Sequence, residues 1–302
     1  MFRYAQLLSV LVLLAAAACR RKSPETIPAT SRPTESSTNQ QVFEVKGVVR
    51  AVKRAEVEIK HEAIPGYMPS MTMPFDVKDT NELAGLQPGQ TVQFRLTVTA
   101  TDAWIDQIRQ VGEVFAKAPP ANVPIRLAQD VEALQPGDPL PSCQLTNQFG
   151  EAFNTSLFKG KALALTFLFT RCPYPTFCPR MANYFQEAQT KLLAMPKAPT
   201  NWHLLTVSFD PAFDKPEVLK SYAQSHQYDQ AHWTFATGAL VDITTLSEQF
   251  GLQFWHDETG SISHNLRTAV VDAKGRVVKI FAGNEWTSDE LVKEMVKAAG
   301  AS

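Results

Sequence analysis

The sequence predicts an α/β domain in its C-terminal half, preceded by a small all-β domain. Three observations carry this. Between residues 42 and 112, short stretches alternate apolar and polar residues in period two. From residue 135 onward, continuously apolar runs alternate with stretches whose apolar residues recur at helical spacing. Between the two lies "AKAPPANVP", a proline-rich connector. At 302 residues the chain is long enough to bury two cores. A net charge of −1 supplies no bulk attraction to nucleic acid, so nucleic-acid binding is set aside as a function class.

The N-terminus reads as a targeting segment and not as part of the fold. Arg3 is a thin positive region, and "LLSVLVLLAAAA" is an apolar run too short for a comfortable membrane span. It ends in "AAAC", small residues followed by Cys19. This resembles a bacterial lipoprotein signal, which implies a signal peptide over 1–18 and a lipidated Cys19. An ordinary secretory signal or an uncleaved anchor are the plainer readings. Residues 19–41 are polar and rich in Pro, Ser and Thr, as expected of a disordered tether, which would span roughly 25 Å as a flexible coil. The expected location is the bacterial cell envelope, facing the periplasm and lipid-anchored to a membrane, an oxidising compartment. With Cys19 lipidated, Cys143, Cys172 and Cys178 remain, and an odd number makes a poor disulfide framework.

Within 42–112, "VFEVKGVVRAV", "AEVEIKHE", "TVQFRLTVTA" and "AWIDQIRQVG" are the alternating runs, and "LQPGQ" supplies turn chemistry before the third. Four or five short strands in so little chain predict a small closed, OB-like barrel. Residues 113–134 form the linker. "LQPG" recurs at 134–137 as repeated turn chemistry and not as a duplicated domain.

Over 135–302, "KALALTFLF" reads as a strand covered on both faces. Pro179 suits a first helical position, and Met181, Tyr184, Phe185, Ala188 and Leu192 follow helical spacing. "WHLLTVSF" is the next strand, "KPEVLKSYAQSH" the next helix, and "LRTAVVDAKGRVVKIF" a hairpin. "TSDELVKEMVKAA" is a closing helix, with Thr287 and Glu290 spaced as a capping box. The order strand, helix, strand, helix, hairpin, helix is thioredoxin-like. It puts "FTRCPYPTFCPRM" at the carboxyl end of a central strand.

That loop holds Cys172 and Cys178, with five residues between them. A thiol at a helix N-terminus ionises more easily, which suits a soft metal or a disulfide cycle. A plain staple gains little from so short a loop. Thiol peroxidases of this fold carry a proline and a Thr or Ser at fixed offsets before the reactive cysteine; here Leu165 and Phe169 occupy those positions. General thioredoxin-type oxidoreductases need a later proline facing the pair, yet no proline follows Pro216, and His264 precedes the corresponding strand in "SHNLRTAVVDAKG". An imidazole there suggests a third ligand.

The region 135–302 resembles the Sco/SenC family of copper-binding, thioredoxin-fold proteins of respiratory oxidase assembly, through "LTFLFTRCPYPTFCPRM", "VSFDPAFDKPEVLKSYA" and "SHNLRTAVVDAKGRVVKIF". The resemblance implies copper at Cys172, Cys178 and His264. Family members usually place three residues between the cysteines, where this chain has five. Two thiolates and an imidazole suit Cu(I) and tolerate Cu(II); zinc would accept them but normally wants a fourth protein ligand. Asp210 and Asp214 read as capping residues that help orient that end of the sheet. His203, His226 and His232 read as structural, Cys143 as a buried free thiol, and His256 is a lesser candidate as an accessory ligand.

In the β domain, "HEAIPGYMPSMTMPF" crowds Met68, Met71 and Met73 beside His61. Core packing is the ordinary use of methionine. The prolines, the glycine and the polar residues instead suit a loop or edge strand, on which Met71 and Met73 share a face. The stretch resembles the CusF-type periplasmic copper-binding barrel, which implies Cu(I) at His61, Met71 and Met73. That family places a tryptophan over the metal; here Met68 is a candidate fourth ligand, or Tyr67 a cation–π cap. Taken together, the expectation is a copper metallochaperone delivering to the copper subunit of cytochrome c oxidase or to another copper-receiving protein. The alternatives are a thiol–disulfide reductase acting through Cys172 and Cys178, and a copper-resistance or buffering protein.

Overall fold

Alternating apolar residues build the first module. Strands β1 (Gln41–Val52), β2 (Glu56–His61), β3 (Met71–Asp76), β4 (Thr91–Val98) and β5 (Ala103–Gln110) form one antiparallel sheet in the order β3-β2-β1-β4-β5. These elements come from a computed structural model, which describes residues 40–112, 131–256 and 262–300. All of these fall in one unit, Thr38–Ser302. The signal segment, Cys19, the tether up to residue 39 and the linker over 113–130 lie outside the described residues.

The inner face of the sheet carries Val45, Val49, Val57, Ile59, Phe75, Phe94, Leu96 and Ile105, all buried. Past the end of β3, Val77 pairs with Ile105 on β5, and the Lys78 N–H donates to the Ile105 carbonyl at 2.9 Å, drawing the two outer strands together. Gly47 sits where β1 crosses β2. A Cβ there would lie 2.4 Å from Ile59 Cγ2 and 2.7 Å from the Lys60 carbonyl, so only glycine fits.

The second module is a seven-stranded sheet in the order β14-β13-β8-β9-β10-β6-β7. Its elements are β6 (Gln144–Asn147), β7 (Ala152–Asn154), β8 (Ala162–Leu168), α1 (Cys178–Ala194), β9 (Trp202–Ser208), α2 (Pro216–Ser225), β10 (Trp233–Thr237) and α3 (Leu240–Gln249), then β11 (Phe254–His256), β12 (Ile262–His264), β13 (Arg267–Val271), β14 (Val277–Ala282) and α4 (Ser288–Gly300). Strands β8, β9 and β10 run parallel, and β13 joins β8 antiparallel.

Every residue of β8 is buried. Ala162 and Ala164 enter the core formed with α1 and α4, while Leu163, Leu165 and Phe167 enter the core formed with α3. Burial on both faces is why this strand is apolar throughout. Thr287 and Glu290 form the expected capping box: the Glu290 carboxylate accepts from the Thr287 N–H at 2.8 Å, and the Glu290 N–H donates to Thr287 Oγ1 at 3.3 Å.

The predicted order omits three features of this module: the β6–β7 hairpin, the β10–α3 unit and the β11–β12 pair, which forms a separate two-stranded sheet. The hairpin strands have four and three residues, too short for period two to register. Helix α3, "LVDITTLSEQ", is rich in β-branched residues, which lower helix propensity.

Candidate metal centre

The cysteine loop leaves the carboxyl end of β8 and enters α1 at Cys178, with Pro179 in the first turn. Buried polar contacts hold it. Asp214, fully buried, accepts from the Thr170 N–H at 3.0 Å, from the Thr170 hydroxyl and from the Ser208 hydroxyl. Burial pushes the Asp214 carboxyl up, against the lowering effect of those donors. Arg171 reaches Asp210 at 2.6 Å, and the Asn284 amide donates to the Thr176 carbonyl at 2.8 Å. Asp210 and Asp214 thus orient the loop itself.

Cys172, Cys178 and His264 offer a sulfur, a sulfur and a ring nitrogen that all lie within 4.8 Å of one another. His264 Nε2 is 3.6 Å from the Cys178 sulfur. On the other side of the ring, Nδ1 is 2.7 Å from the Asn265 carbonyl, which only a protonated Nδ1 can satisfy. The Nε2 lone pair is therefore the free one, and it faces sulfur. Edge contacts from Phe169 and Phe177, each with ring centres 5.6 Å away, fix the imidazole plane.

Both thiols are free; Cys178 is buried and Cys172 half-buried. Burial opposes charge on each. The hydrogen bond from the Cys178 thiol nevertheless holds Cys172 well below the ordinary thiol range. Burial, together with the adjacent Cys172 sulfur, pushes Cys178 well above it. This corrects the expectation that the helix start eases ionisation of both: the thiol in the first turn of α1 is the harder to ionise, because its complete burial outweighs the peptide dipoles. The donor set is soft, close-set and backed by a carbonyl on the imidazole, and it fits a copper ion.

The methionine stretch takes the form of a loop followed by β3, an edge strand of its sheet. His61 lies directly across from Met71 in the β2–β3 register, and Met73 lies across from Ile59. His61, Met71 and Met73 thus share the inner face at one end of the barrel. His61 is buried, with Nδ1 2.7 Å from the Glu62 carbonyl. Met68 is buried in the preceding loop, where it bridges to Ile64. Tyr67 stacks on Phe43 at 4.9 Å and donates its hydroxyl to the Pro173 carbonyl at 3.1 Å, a contact with the cysteine loop that nothing in the sequence announces.

The other candidates lie elsewhere. His203 Nε2 is 2.8 Å from the Thr234 hydroxyl, His226 Nδ1 is 3.0 Å from the Tyr222 carbonyl, and His232 pairs with Asp229 at 3.0 Å. Burial pushes the Cys143 thiol up to about 11, as expected of an inert buried cysteine. The His256 side chain lies outside the described residues.

Comparison with known proteins gives two family matches along the chain. Residues 42–110 match the family "Copper binding periplasmic protein CusF", and residues 133–300 match the SCO1/SenC family. The SCO1 protein homolog of Bacillus subtilis is 27% identical over 160 residues, which cover 51% of this chain and 79% of that protein. An SCO2-like protein of Rickettsia typhi is 27% identical over 147 residues, covering 46% of this chain and 67% of its own. The crystal structure of a SCO1/SenC family lipoprotein from Bacillus anthracis superposes with a TM-score of 0.49 at 30% identity, over 55% of this chain and 99% of that one. Copper is the metal of both matched families. With more than half of its length matched, from before the cysteine loop to past His264, the chain belongs to the SCO1/SenC family and carries a CusF-type module ahead of that domain.

Proposed function

We propose that this protein is an envelope copper metallochaperone. Cys172, Cys178 and His264 hold the ion in the thioredoxin-like domain, and His61, Met71 and Met73, with Met68 beside them, hold Cu(I) in the barrel. The observation that carries the reading is the convergence of two sulfurs and one imidazole nitrogen, from a loop, a helix start and a separate strand, within 4.8 Å. Two of the three donors already have the state a copper ligand needs: the Cys172 thiol is readily ionised, and the imidazole presents its unprotonated nitrogen. Binding at Cys178 expels that thiol's proton. The recipient is a copper-receiving protein such as the copper subunit of cytochrome c oxidase. The chain works on the periplasmic side, tethered through a lipid on Cys19; among the described residues no helix is long and apolar enough to cross a membrane.

One observation favours a second reading as a dedicated thiol–disulfide reductase. The pair is asymmetric, with an easily ionised, half-buried Cys172 and a buried, protonated Cys178, as an attacking and a resolving thiol would be. The test is His264→Ala, with copper affinity and reduction of a copper-site disulfide peptide measured side by side. The chaperone reading expects copper affinity and delivery to fall together. Copper affinity lost with reductase activity and biological function intact would replace it with the enzyme.

A further inference from the structure

The two ligand sets are not remote from each other. Strand β3 runs alongside β12, so the strand that carries Met71 and Met73 packs against the strand that carries His264. Met71, Met73, Cys172, Tyr174, Phe177 and His264 line one cavity of about 20 Å³. A space of that size holds roughly one water-sized occupant.

The contacts that bring the modules together surround this cavity. Tyr67 donates to the Pro173 carbonyl at 3.1 Å, and Arg180 reaches Asp102 at 2.9 Å. The edge of Phe75 meets Tyr174 at 5.8 Å. Met73, Phe75, Tyr174 and Phe177 belong to a single hydrophobic core that runs from the barrel interior into the second domain.

We propose that Met71 and Met73 supply thioether ligation to the copper ion held by Cys172, Cys178 and His264, so that the chain carries one mixed site spanning both modules. This rests on the reading that the two thiols and His264 hold copper. The three donors leave one side of the ion's position facing this cavity. Water reaches such a position in an open site. Here the donors that the barrel adds to an otherwise mostly apolar wall are two neutral, soft thioethers, which favour Cu(I) and need no deprotonation. Transfer between the ligand sets is then an exchange of donors. The bond from His61 nitrogen to copper breaks, bonds to the Cys172 and Cys178 sulfurs and to His264 Nε2 form, the Cys178 proton leaves to solvent, and no electron moves. The thioethers remain in contact with the ion throughout.

The experiment uses the full chain, stripped of metal and kept reduced without air, and titrated with Cu(I) against a coloured Cu(I) chelator. Wild type, Met71→Leu/Met73→Leu and Cys172→Ser/Cys178→Ser are compared. Leucine preserves core volume, and circular dichroism checks that each variant folds. A shared site takes one tight Cu(I) per chain, and removing the thioethers weakens the thiolate-dependent affinity about tenfold, as for groups in one network. Copper-edge X-ray absorption of selenomethionine-labelled wild type, which requires no mutation, shows selenium and cysteine sulfur around the ion. Two independent Cu(I) ions per chain, no selenium around the thiolate-bound copper and unchanged affinity in the methionine variant would overturn the mixed site while leaving the thiolate site standing. Affinity unchanged in the cysteine variant would overturn both.

Discussion

Asp214 decides whether the cysteine loop is a rigid platform, and its replacement has a magnitude that can be worked out. The carboxylate is fully buried and accepts from the Thr170 N–H, the Thr170 hydroxyl and the Ser208 hydroxyl. In Asp214→Ala all three donors lose their acceptor. The hydroxyls can rotate toward other acceptors, but the Thr170 N–H is fixed by the backbone. One stranded buried donor costs about 1–3 kcal/mol, and the two weakened hydroxyl bonds about 1 kcal/mol each. The expected loss is about 3–5 kcal/mol, partly offset because the charge burial that raises the Asp214 carboxyl is also relieved. Asp214→Asn keeps one acceptor for the N–H and lets a hydroxyl accept from the new amide, so it loses only about 1 kcal/mol. Urea unfolding of the metal-free chain measures both. The same alanine variant binds Cu(I) about tenfold more weakly, as expected when the support behind a ligand is removed. A loss below about 1 kcal/mol in Asp214→Ala, with copper affinity unchanged, would show that the loop is held by something other than these bonds.

Two further perturbations test the framework on which the site stands. Burial holds the His203 imidazole down to about 3, so the folded state refuses a proton that the unfolded chain accepts near the ordinary value. Its contribution is therefore present above the unfolded histidine range and drains away as pH falls toward the folded value. Between about pH 7 and pH 5 it amounts to about 2 kcal/mol. His203→Gln, uncharged throughout, shows a shallower acid loss in urea unfolding, and an unchanged slope would refute the assignment. Gly47→Ala drives a Cβ into Ile59 Cγ2 and the Lys60 backbone at 2.4 and 2.7 Å. Because backbone must move, we expect a loss of about 2 kcal/mol and weaker Cu(I) binding at His61, which pairs with Gly47 across the sheet; an unaltered unfolding midpoint would contradict the crossing geometry.

What could be read from residues alone followed the strength of each local signal. Strand β8 was legible because burial on both faces leaves an unbroken apolar run, and α4 because its capping box and helical period agree. The β6–β7 hairpin was not, since its strands are too short to show a period. At the site, the candidate donors stood out by residue type, whereas their supports did not. Asp214 looks like any helix-flanking aspartate, and only the folded chain shows Thr170 and Ser208 turned toward it. The ionisation order of the cysteines was also out of reach. Sequence shows that Cys178 starts a helix, but not that burial there outweighs the helix field.

The contact between modules answers a liability in each. Strand β3 is the outermost of its sheet and carries soft, oxidisable thioethers; an edge left open invites pairing with other chains. Half-buried Cys172, held as the readily ionised thiol, is the group most open to oxidation in the compartment proposed above. Strand β12 packs against the first, and Met71 and Met73 line the same cavity as the second. Neither module needs a separate lid, because the surface each must hide is the one that matches the other. Tyr67 is part of the same fit. Its ring stacks on Phe43 and its hydroxyl donates to the Pro173 carbonyl, so it pins the barrel to the cysteine loop.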